Sequence, residues 1–285
     1  MAPEVIPVVI DNASIDKSVD VARSAGVEVI VNLENRGFAA AVNQGFRATQ
    51  AGLGLLLNPD VRLSTPIHEL AAAAADQGLA AGQLTDAHGR PQAGFTIRRL
   101  PTAAALCLEL LGINRICRNN PVNRWYRYMD RDLSLPGTVE QPAGAFLMVR
   151  RDIWKRLGGF DEGFHPVWFE DVDFCRRAVD EGFQIQYVPA VRAMHEGGHS
   201  VLKLPIGCRT RYWYGSLLRY AGKHLRPPAY RAVWLAAVLG AIPRTVLGMI
   251  QQKSLRPAKV VFEILNLSGA SYPSRARQAK TGQGK

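Results

Sequence analysis

Continuous runs of aliphatic residues alternate with helix-like segments along the first third of the chain. The pattern predicts strands at 5–10, 27–31, 53–57 and 79–81, separated by helices at 18–25, 43–51 and 67–77. Strands that are apolar throughout, rather than at alternate positions, are typical of a parallel sheet buried on both faces. The sequence therefore predicts an α/β fold with a mostly parallel sheet and helices on both faces.

The pattern is interrupted at 95–138, where we expect a variable insertion with one helix at 102–111. Regular elements then return, with strands predicted at 145–149 and 184–188 and helices at 151–157 and 172–181. Long helices follow residue 200, which places a domain boundary there. The predicted organisation is an α/β domain at 1–200, an amphipathic helical region at 201–270 and a disordered basic tail at 271–285.

The composition predicts a sizeable hydrophobic core and an anionic partner. The 285 residues are 47% apolar, and 35 Lys and Arg against 24 Asp and Glu give a net charge of +11. This charge favours a nucleotide, a nucleic acid, a lipid phosphate or a membrane surface, although excess Lys and Arg also solvate ordinary surfaces. The cysteines are widely spaced and the first residues do not resemble a signal peptide, which predicts a cytosolic protein with reduced thiols.

Polar side chains follow two of the predicted strands. Asp11 and Asn12 come after the first strand, and Asn58 and Asp60 come directly after the third, on either side of a proline. Ligands of such sheets lie beyond the carboxyl ends of the strands. Asp11 is suited to a base or ribose and Asp60 to a divalent cation that bridges phosphates, although a helix cap and an ordinary turn explain the same patterns.

Glycine and small residues open the predicted helix that follows the second strand. The run N-R-G-F-A-A-A-V-N contains Asn35, Gly37 and Asn43. Such an opening lets backbone N–H groups approach a diphosphate, with the asparagines as further donors. A plain helix N-terminus with close packing is the alternative.

An acidic pair with aromatic neighbours opens a later helix. Glu170 and Asp171 directly follow Trp168 and Phe169. A carboxylate beside an aromatic ring suits a site that stacks on a sugar and removes a proton from it, whereas a solvated acidic helix start is the alternative. Asp171 and Glu170 are therefore candidate catalytic residues, and Trp168, Phe169 and Gly144 are candidate acceptor-binding residues.

His195 follows the last predicted strand, in the run H-E-G-G-H-S. Histidine is a good transition-metal ligand, and the glycine pair leaves room for a phosphate near the backbone. A structural or exposed loop histidine is the alternative.

Together these motifs resemble the inverting family 2 glycosyltransferases, in particular bacterial rhamnosyltransferase-like members. The resemblance runs from about residue 5 to 200 and is carried by V-I-D-N-A-S, N-R-G-F-A-A-A-V-N-Q-G, L-N-P-D-V, G-G-F-D-E and F-E-D-V-D-F-C-R-R. It implies a GT-A (Rossmann-like) fold, a nucleotide-sugar donor, a lipid-linked or cell-envelope glycan acceptor, and Mg²⁺ or Mn²⁺. It further implies that Asp11 contacts the nucleoside, that Asp60 and His195 bind the metal near the diphosphate, and that Asp171 is the base. Asn12, Asn35, Gly37, Asn43 and Asn58 complete the expected donor site.

Two features depart from the family pattern. Many relatives carry Asp where this chain has Asn58, which leaves one strong anionic ligand in that motif. Relatives also begin with an additional central strand and helix, whereas this chain starts at what corresponds to the second strand. We therefore expect either a truncated start or a degenerate protein in which another segment fills the gap. Pro7, which lacks a backbone donor, lies within the predicted first strand.

Cations and aromatic residues are interleaved after residue 205. The segment R-T-R-Y-W-Y at 209–214 is followed by further Arg and Lys residues, and the apolar window at 233–250 is interrupted by glycine, proline and arginine. This pattern predicts an interfacial helix or hairpin on an anionic membrane surface, peripheral to the inner face of the cell membrane, rather than a single spanning helix. Ordinary packed helices, and a catalytically impaired membrane-associated binding protein, are the alternatives. No nucleic-acid recognition motif is present, which argues against that partner.

Overall fold

The computed structural model describes residues 5–197 and 205–252. The described residues fold as two units, one formed by 5–100 with 120–197 and the other by 101–119 with 205–252. His199 and the predicted tail at 271–285 lie outside the described residues, as does part of the predicted helical region at 201–270.

The secondary structure is given in chain order. The strands are β1 Val8–Asp11, β2 Glu28–Val31, β3 Leu53–Leu57, β4 Val61–Leu63, β5 Gly78–Thr85, β6 Ile97–Arg98, β7 Gly137–Val139, β8 Gln141–Pro142, β9 Phe146–Arg150 and β10 Gln184–His195. The helices are α1 Ser18–Ser24, α2 Phe38–Ala48, α3 His68–Gln77, α4 Ala103–Leu110, α5 Ile113–Ile116, α6 Pro121–Tyr126, α7 Arg151–Arg156, α8 Glu170–Asp180, α9 Ile206–His224 and α10 Pro227–Gln252.

The main sheet of the first unit is mixed, so the prediction of a mostly parallel sheet is wrong. Its strand order is β3-β9-β5-β10-β4, and β7 pairs with β10. Only β5 and β10 pair in parallel, whereas β9 runs antiparallel to both β3 and β5, and β10 runs antiparallel to β4 and β7. An antiparallel strand that is buried on both faces has the same continuous apolar pattern as a parallel one, and the sequence alone did not separate them.

A second, two-stranded sheet is formed by β1 and β2, which pair in parallel. Among the described residues, no strand pairs with the other edge of β1 or of β3. Helix α2 packs against both β1 and β3. A Cβ atom at Gly45 of α2 would lie 3.6 Å from Ile10 of β1, and a Cβ atom at Gly54 of β3 would lie 2.5 Å from the Phe46 ring of α2. Gly54 is therefore required where the Phe46 ring lies on β3. Pro7 precedes β1 rather than interrupting it.

The core of the first unit lies between α3 and the central strands. Leu70 and Ala74 of α3 pack with Leu84 of β5, Phe146 of β9 and Ala193 of β10, and all five are buried. β10 is longer than predicted because the chain continues past Pro189 through a β-bulge between Val188 and Arg192. This continuation carries the strand to His195, beside β4.

The second unit is helical. Thr102 caps α4, since its side-chain oxygen accepts a hydrogen bond from the backbone of Ala105 at 3.2 Å. Helix α10 packs against α4 and α9, so part of the predicted insertion at 95–138 belongs with the C-terminal helices. Within the described parts of the chain, no helix combines the length and hydropathy that a bilayer crossing requires.

Candidate functional site

Asp60 and His195 meet where β4 and β10 pair. His195 is opposite Val61 in the antiparallel register, and the backbone N–H of Glu196 donates to the carbonyl oxygen of Asp60 at 3.1 Å. This pairing brings the His195 Nε2 atom to 3.7 Å from the Asp60 Oδ1 atom, with the two side chains 7% and 14% exposed. Two residues that are 135 positions apart in the sequence are therefore adjacent because two strand ends are paired.

The chemistry of this pair fits a cation. The Asp60 Oδ1 atom is buried and has no hydrogen-bond partner in the structure, and burial lowers the pKa of His195, against an opposing effect of Asp60. A neutral imidazole is the form that binds metals. The 3.7 Å separation is shorter than two metal–ligand bonds of about 2.0–2.2 Å each, so both atoms could contact one ion. In the described residues, no group of three or more His, Cys, Asp or Glu side chains could hold a metal.

Asp171 lies at the start of α8, against the chain just before β9. Its Oδ2 atom accepts a hydrogen bond from the backbone N–H of Gly144 at 2.9 Å, and its Oδ1 atom accepts one from Val172 at 2.8 Å. A Cβ atom at position 144 would lie 2.9 Å from the Asp171 Cβ atom, so only glycine permits this approach. Burial raises the pKa of Asp171, although the two backbone bonds and the charge of Arg98 oppose the shift. A raised pKa makes the ionised carboxylate a better proton acceptor.

Glu170 is the more deeply buried member of the acidic pair. It is 4% exposed, and its Oε2 atom has no hydrogen-bond partner in the structure. Burial first, and the neighbouring Asp171 second, raise the pKa of Glu170 well above its ordinary value. The site therefore contains two adjacent carboxyl groups in different environments, a pattern that recurs in acid–base catalysis.

Two short paths connect the acidic pair with Asp60 and His195. Along the first, the backbone N–H of Asn58 donates to the Ala145 carbonyl at 3.1 Å, next to the Gly144 that binds Asp171. Along the second, the Phe95 ring stacks on the imidazole of His195 with centroids 4.9 Å apart, and the Arg98 guanidinium lies 5.7 Å from the centre of the same ring. The charge of Arg98 in turn acts on Asp171. A series of contacts through neighbouring residues thus links Asp171 with the Asp60–His195 pair, whereas only Asp60 and His195 are in direct contact.

Trp168 and Phe169 precede the acidic pair in an uncommon backbone conformation. Their φ angles are 79° and 70°, in the left-handed region that bulky residues rarely adopt, and both side chains are half-buried. Such strain costs on the order of 1–3 kcal/mol per residue and is concentrated at binding and catalytic sites. The backbone therefore holds these two residues in a specific conformation, and their acceptor-binding role stays a prediction.

Asn12 joins the loop that follows β1 to the loop that follows β2. Its Oδ1 atom accepts hydrogen bonds from the Asn32 side chain at 3.1 Å and the Arg36 backbone at 3.2 Å, and its Nδ2 atom donates to the Gly37 carbonyl at 3.1 Å. Asp11 is 6% exposed and accepts a hydrogen bond from the backbone of Ser14. Asn12 is therefore fixed by bonds to one side chain and two backbone groups, and Asp11, the predicted nucleoside contact, by a bond from one backbone group.

Gly37 connects the loop after β2 with the segment that precedes the acidic pair. Its φ angle is 84°, and a Cβ atom there would lie 2.8 Å from the His165 ring. Asn35 accepts a hydrogen bond from the Gly37 N–H at 2.9 Å, and the next N–H, of Phe38, donates to the Pro166 carbonyl at 2.8 Å. The predicted phosphate-binding turn is thus hydrogen-bonded to Pro166, which lies two positions before Trp168 in the sequence.

The Asn43 side chain is buried and forms hydrogen bonds within the protein. Its side chain donates to the Phe160 carbonyl and to Glu162, both at 2.9 Å, and accepts from the Phe160 N–H at 2.9 Å. These bonds hold the G-G-F-D-E loop against α2, which gives Asn43 a structural function. Its donor-binding role stays a prediction.

Sequence reasoning missed Gln92, Phe95 and Arg98, which contact His195 or act on Asp171. They lie at the edge of a segment without periodicity or a recognisable motif. These residues come close to His195 because the chain folds back after β5, and no local sequence pattern reveals this turn.

We expect Glu170→Gln to stabilise the protein above acidic pH. Between the ordinary value of 4.5 and the raised native pKa, the folded carboxyl keeps a proton that the unfolded chain has lost, so wild-type stability falls as pH rises through this interval. Glutamine does not titrate. Thermal unfolding should show a midpoint difference that is near zero at low pH and positive at neutral pH.

Glu69→Gln, on an exposed side chain of α3, is the matched control and should show no such pH-dependent gain. Equal unfolding midpoints for wild type and Glu170→Gln at all pH values would contradict a raised pKa of Glu170. Transfer rates of the same variant test the predicted catalytic role of this residue.

The sheet, the acids at its strand ends and the acidic helix start are those expected of a glycosyltransferase. A model of the glycosyltransferase-like family 2 matches residues 1–215, so the chain belongs to this family, and the prediction of a family 2 glycosyltransferase with a GT-A fold is confirmed at that level. The central sheet of this fold is mixed.

The chain is similar to rhamnosyltransferases. It is 30% identical over 106 residues to the rhamnosyltransferase WbbL of Escherichia coli K12, covering 37% of this chain and 36% of that protein. It is 26% identical over 229 residues to the N-acetylglucosaminyl-diphospho-decaprenol L-rhamnosyltransferase of Mycobacterium tuberculosis, covering 75% of this chain and 74% of that protein. A solved mannosyltransferase of Pyrobaculum calidifontis, in complex with GDP-Man and Mn²⁺, matches with a TM-score of 0.46 and 14% identity, covering 96% of this chain and 69% of that one. The chain thus spans about a third of the length of the first relative and three quarters of the second.

Proposed function

We infer that the protein transfers a sugar, rhamnose, from a nucleotide-diphosphate donor to a lipid-linked or cell-envelope glycan acceptor, with inversion at the anomeric carbon. The observation that carries this proposal is the position of Asp171. It is half-buried with a raised pKa, follows two constrained aromatic residues, and is connected to the Asp60–His195 pair through Gly144 and Ala145.

Asp171 acts as the base in this proposal. Its carboxylate takes the proton of the acceptor hydroxyl while that oxygen forms a bond to the anomeric carbon. The bond from the same carbon to the diphosphate breaks, and the nucleoside diphosphate leaves with the bonding electrons. Trp168 and Phe169 flank the acceptor sugar, and Gly144 keeps the carboxylate in place through its N–H.

Asp60 and His195 would hold Mg²⁺ or Mn²⁺ beside the donor. The bound ion would neutralise the charge that develops on the departing diphosphate. The unpartnered Oδ1 atom of Asp60 and the imidazole 3.7 Å from it support this role. Asn58 would contribute an amide where many relatives carry a carboxylate, and its backbone N–H keeps the turn against Ala145.

The donor nucleotide would lie along the loops that Asn12 joins. Asp11 follows β1 and would contact the nucleoside, while Asn35 and Gly37 form the turn that faces the diphosphate. Gly37 is required in this turn because its φ angle is left-handed and a Cβ atom there would meet the His165 ring.

The relatives support rhamnose as the sugar and a lipid-linked glycan as the acceptor. Two similar proteins are rhamnosyltransferases, and the name of one specifies an N-acetylglucosaminyl-diphospho-decaprenol acceptor. The test is a transfer assay with UDP-, dTDP- and GDP-linked sugars and a lipid-linked N-acetylglucosaminyl diphosphate. A rhamnosyl donor should give the fastest transfer with an inverted product, and transfer from none of the donors would contradict the proposal.

The second unit would bind the inner face of the cell membrane. In its described residues, 101–119 and 205–252, nine Lys and Arg residues stand against one acidic residue, Glu109. One face of α10 carries aliphatic side chains three or four positions apart that are between 46% and 68% exposed: Leu235, Leu239, Ile242, Val246 and Ile250. An apolar stripe on a basic helical unit is complementary to an anionic bilayer surface.

Replacement of Leu235, Leu239 and Ile242 by Glu should release the protein from vesicles that contain phosphatidylglycerol. Each substitution removes apolar burial in the interface and adds a charge that the anionic lipid repels. Vesicle flotation measures the effect. The triple variant Ile15→Glu, Val21→Glu and Leu33→Glu changes the charge equally at exposed apolar positions of the first unit and should still float.

If the two triple variants float with vesicles to the same extent, the apolar stripe of α10 does not bind the bilayer. A change from dimer to monomer in light scattering, without a change in flotation, would instead identify the stripe as a subunit interface.

A further inference from the structure

Gln92 makes two hydrogen bonds to the same histidine. Its Nε2 atom donates to the His195 carbonyl oxygen at 2.8 Å, and its Oε1 atom lies 3.0 Å from the His195 Nδ1 atom. Its own backbone is fixed as well, because its N–H donates to the Leu84 carbonyl at 2.9 Å and its carbonyl accepts from the Thr96 backbone at 3.0 Å. Gln92 therefore holds both the main chain and the ring of His195 from one fixed point.

These two bonds determine which nitrogen of His195 carries the proton. A carbonyl oxygen only accepts, so the amide nitrogen of Gln92 must face the His195 carbonyl and its oxygen must face Nδ1. An amide oxygen also only accepts, so Nδ1 must carry the hydrogen. In the neutral ring, Nε2 is then unprotonated, and it lies 3.7 Å from the Asp60 Oδ1 atom.

Two acceptor atoms thus face each other without a hydrogen between them. Asp60 Oδ1 is buried and has no hydrogen-bond partner in the structure, so this arrangement leaves an uncompensated polar atom. A cation bound by both atoms would compensate it.

Phe95 limits the remaining freedom of the ring. It lies in the turn that follows Gln92, because the Phe95 N–H donates to the Gln92 carbonyl at 3.1 Å. Its ring is parallel to the imidazole within 9° at a centroid distance of 4.9 Å, and Arg98 lies over the same aromatic ring. Rotation of the imidazole about its Cβ–Cγ bond would break both the stacking and the bond to Gln92.

We propose that Gln92 and Phe95 are positioning residues that select the Nδ1–H tautomer of His195 and aim its Nε2 atom at Asp60 as a ligand for a divalent cation. The proposal rests on the metal-dependent function inferred above, and it names two residues outside the family motifs. Partners of this kind orient the imidazole, and their loss typically weakens metal binding about 10- to 100-fold.

Gln92→Met is the test variant, since methionine has a similar length and keeps neither the amide donor nor the amide oxygen. The Mn²⁺ affinity, measured from the free-ion signal in electron paramagnetic resonance, should fall about 10- to 100-fold. In metal-free protein labelled with ¹⁵N-histidine, NMR should show the wild-type His195 ring protonated at Nδ1 and the variant shifted toward the Nε2–H tautomer. Phe95→Leu should keep the tautomer and weaken Mn²⁺ binding by a smaller factor.

Gln77→Met makes the same chemical change at the exposed end of α3 and should alter neither readout. Unchanged Mn²⁺ affinity and an unchanged tautomer in Gln92→Met would overturn the proposal. His195→Ala separates this failure from a failure of the metal site itself: if His195→Ala also leaves Mn²⁺ affinity unchanged, the assignment of the site to a cation is wrong.

Discussion

Asp171→Asn is expected to abolish sugar transfer while leaving donor binding intact. The amide cannot take the acceptor proton, and a positioned base contributes about 10²- to 10⁴-fold to the rate. The side chain keeps its shape and one acceptor oxygen for the Gly144 N–H, while the bond from the Val172 N–H is lost, and the remaining bond should keep the site assembled. The measurement is the transfer rate of the purified variant, together with the dissociation constant of the donor by calorimetry.

Asp180→Asn provides the matched control. Asp180 lies at the other end of α8, where it pairs with Arg176 on the surface, and its replacement should leave transfer unchanged. Full activity of Asp171→Asn would remove the base assignment. Equal loss of donor binding and transfer would show that Asp171 supports the donor site rather than the proton transfer.

Asp60→Asn is expected to remove metal-dependent donor binding. The substitution replaces a carboxylate by a neutral amide where Asn58 already offers only an amide, so no anionic ligand remains in this turn. Divalent cations of the Mg²⁺ class prefer carboxylate oxygen, and the ion is expected to bridge protein and diphosphate. We expect at least about a 10-fold loss of nucleoside diphosphate affinity in the presence of Mn²⁺, and little change in its absence.

Calorimetric titrations with Mn²⁺ and with EDTA measure the two affinities. Asp76→Asn, on the exposed end of α3, removes the same charge far from this turn in the sequence and should not alter either of them. If EDTA leaves the donor affinity and transfer rate of the wild type unchanged, the protein does not use a metal, and the role of Asp60 must be different.

The apolar strands and the helices between them could be predicted because each pattern is local. The segment at 53–57 reads as a strand from its own residues, and it matches β3 without a shift. Strand direction is not local, since β9 reads the same whichever way its neighbours run, and this is why the mixed sheet was missed. The continuation of β10 past Pro189 was also missed, because a bulge lets the strand accommodate a proline that normally ends one.

The candidate site divides along the same line. Asp60, Asp171 and His195 carry chemistry that their residue types and family motifs predict. Gln92 and Phe95 do not, since glutamine and phenylalanine are common and become informative only when the return of the chain after β5 brings them to His195. Gly144 lies in a family motif, but the reason that glycine is needed there is structural. A Cβ atom at this position would lie 2.9 Å from the Asp171 Cβ atom, and the sequence does not reveal this contact.

Asp11, the predicted nucleoside-binding residue, lies in a sparsely buried part of the first unit. Helix α1 has no buried residue, and the sheet it accompanies has only two strands, which is marginal for independent stability. β5, in contrast, is buried along all eight residues. Local opening of residues 8–31 should therefore require less free energy than global unfolding, and a ligand held by Asp11 would suppress that opening by mass action. Part of the intrinsic affinity for the donor would be spent on ordering this segment, so a mutation that merely secures it could tighten donor binding without touching the ligand.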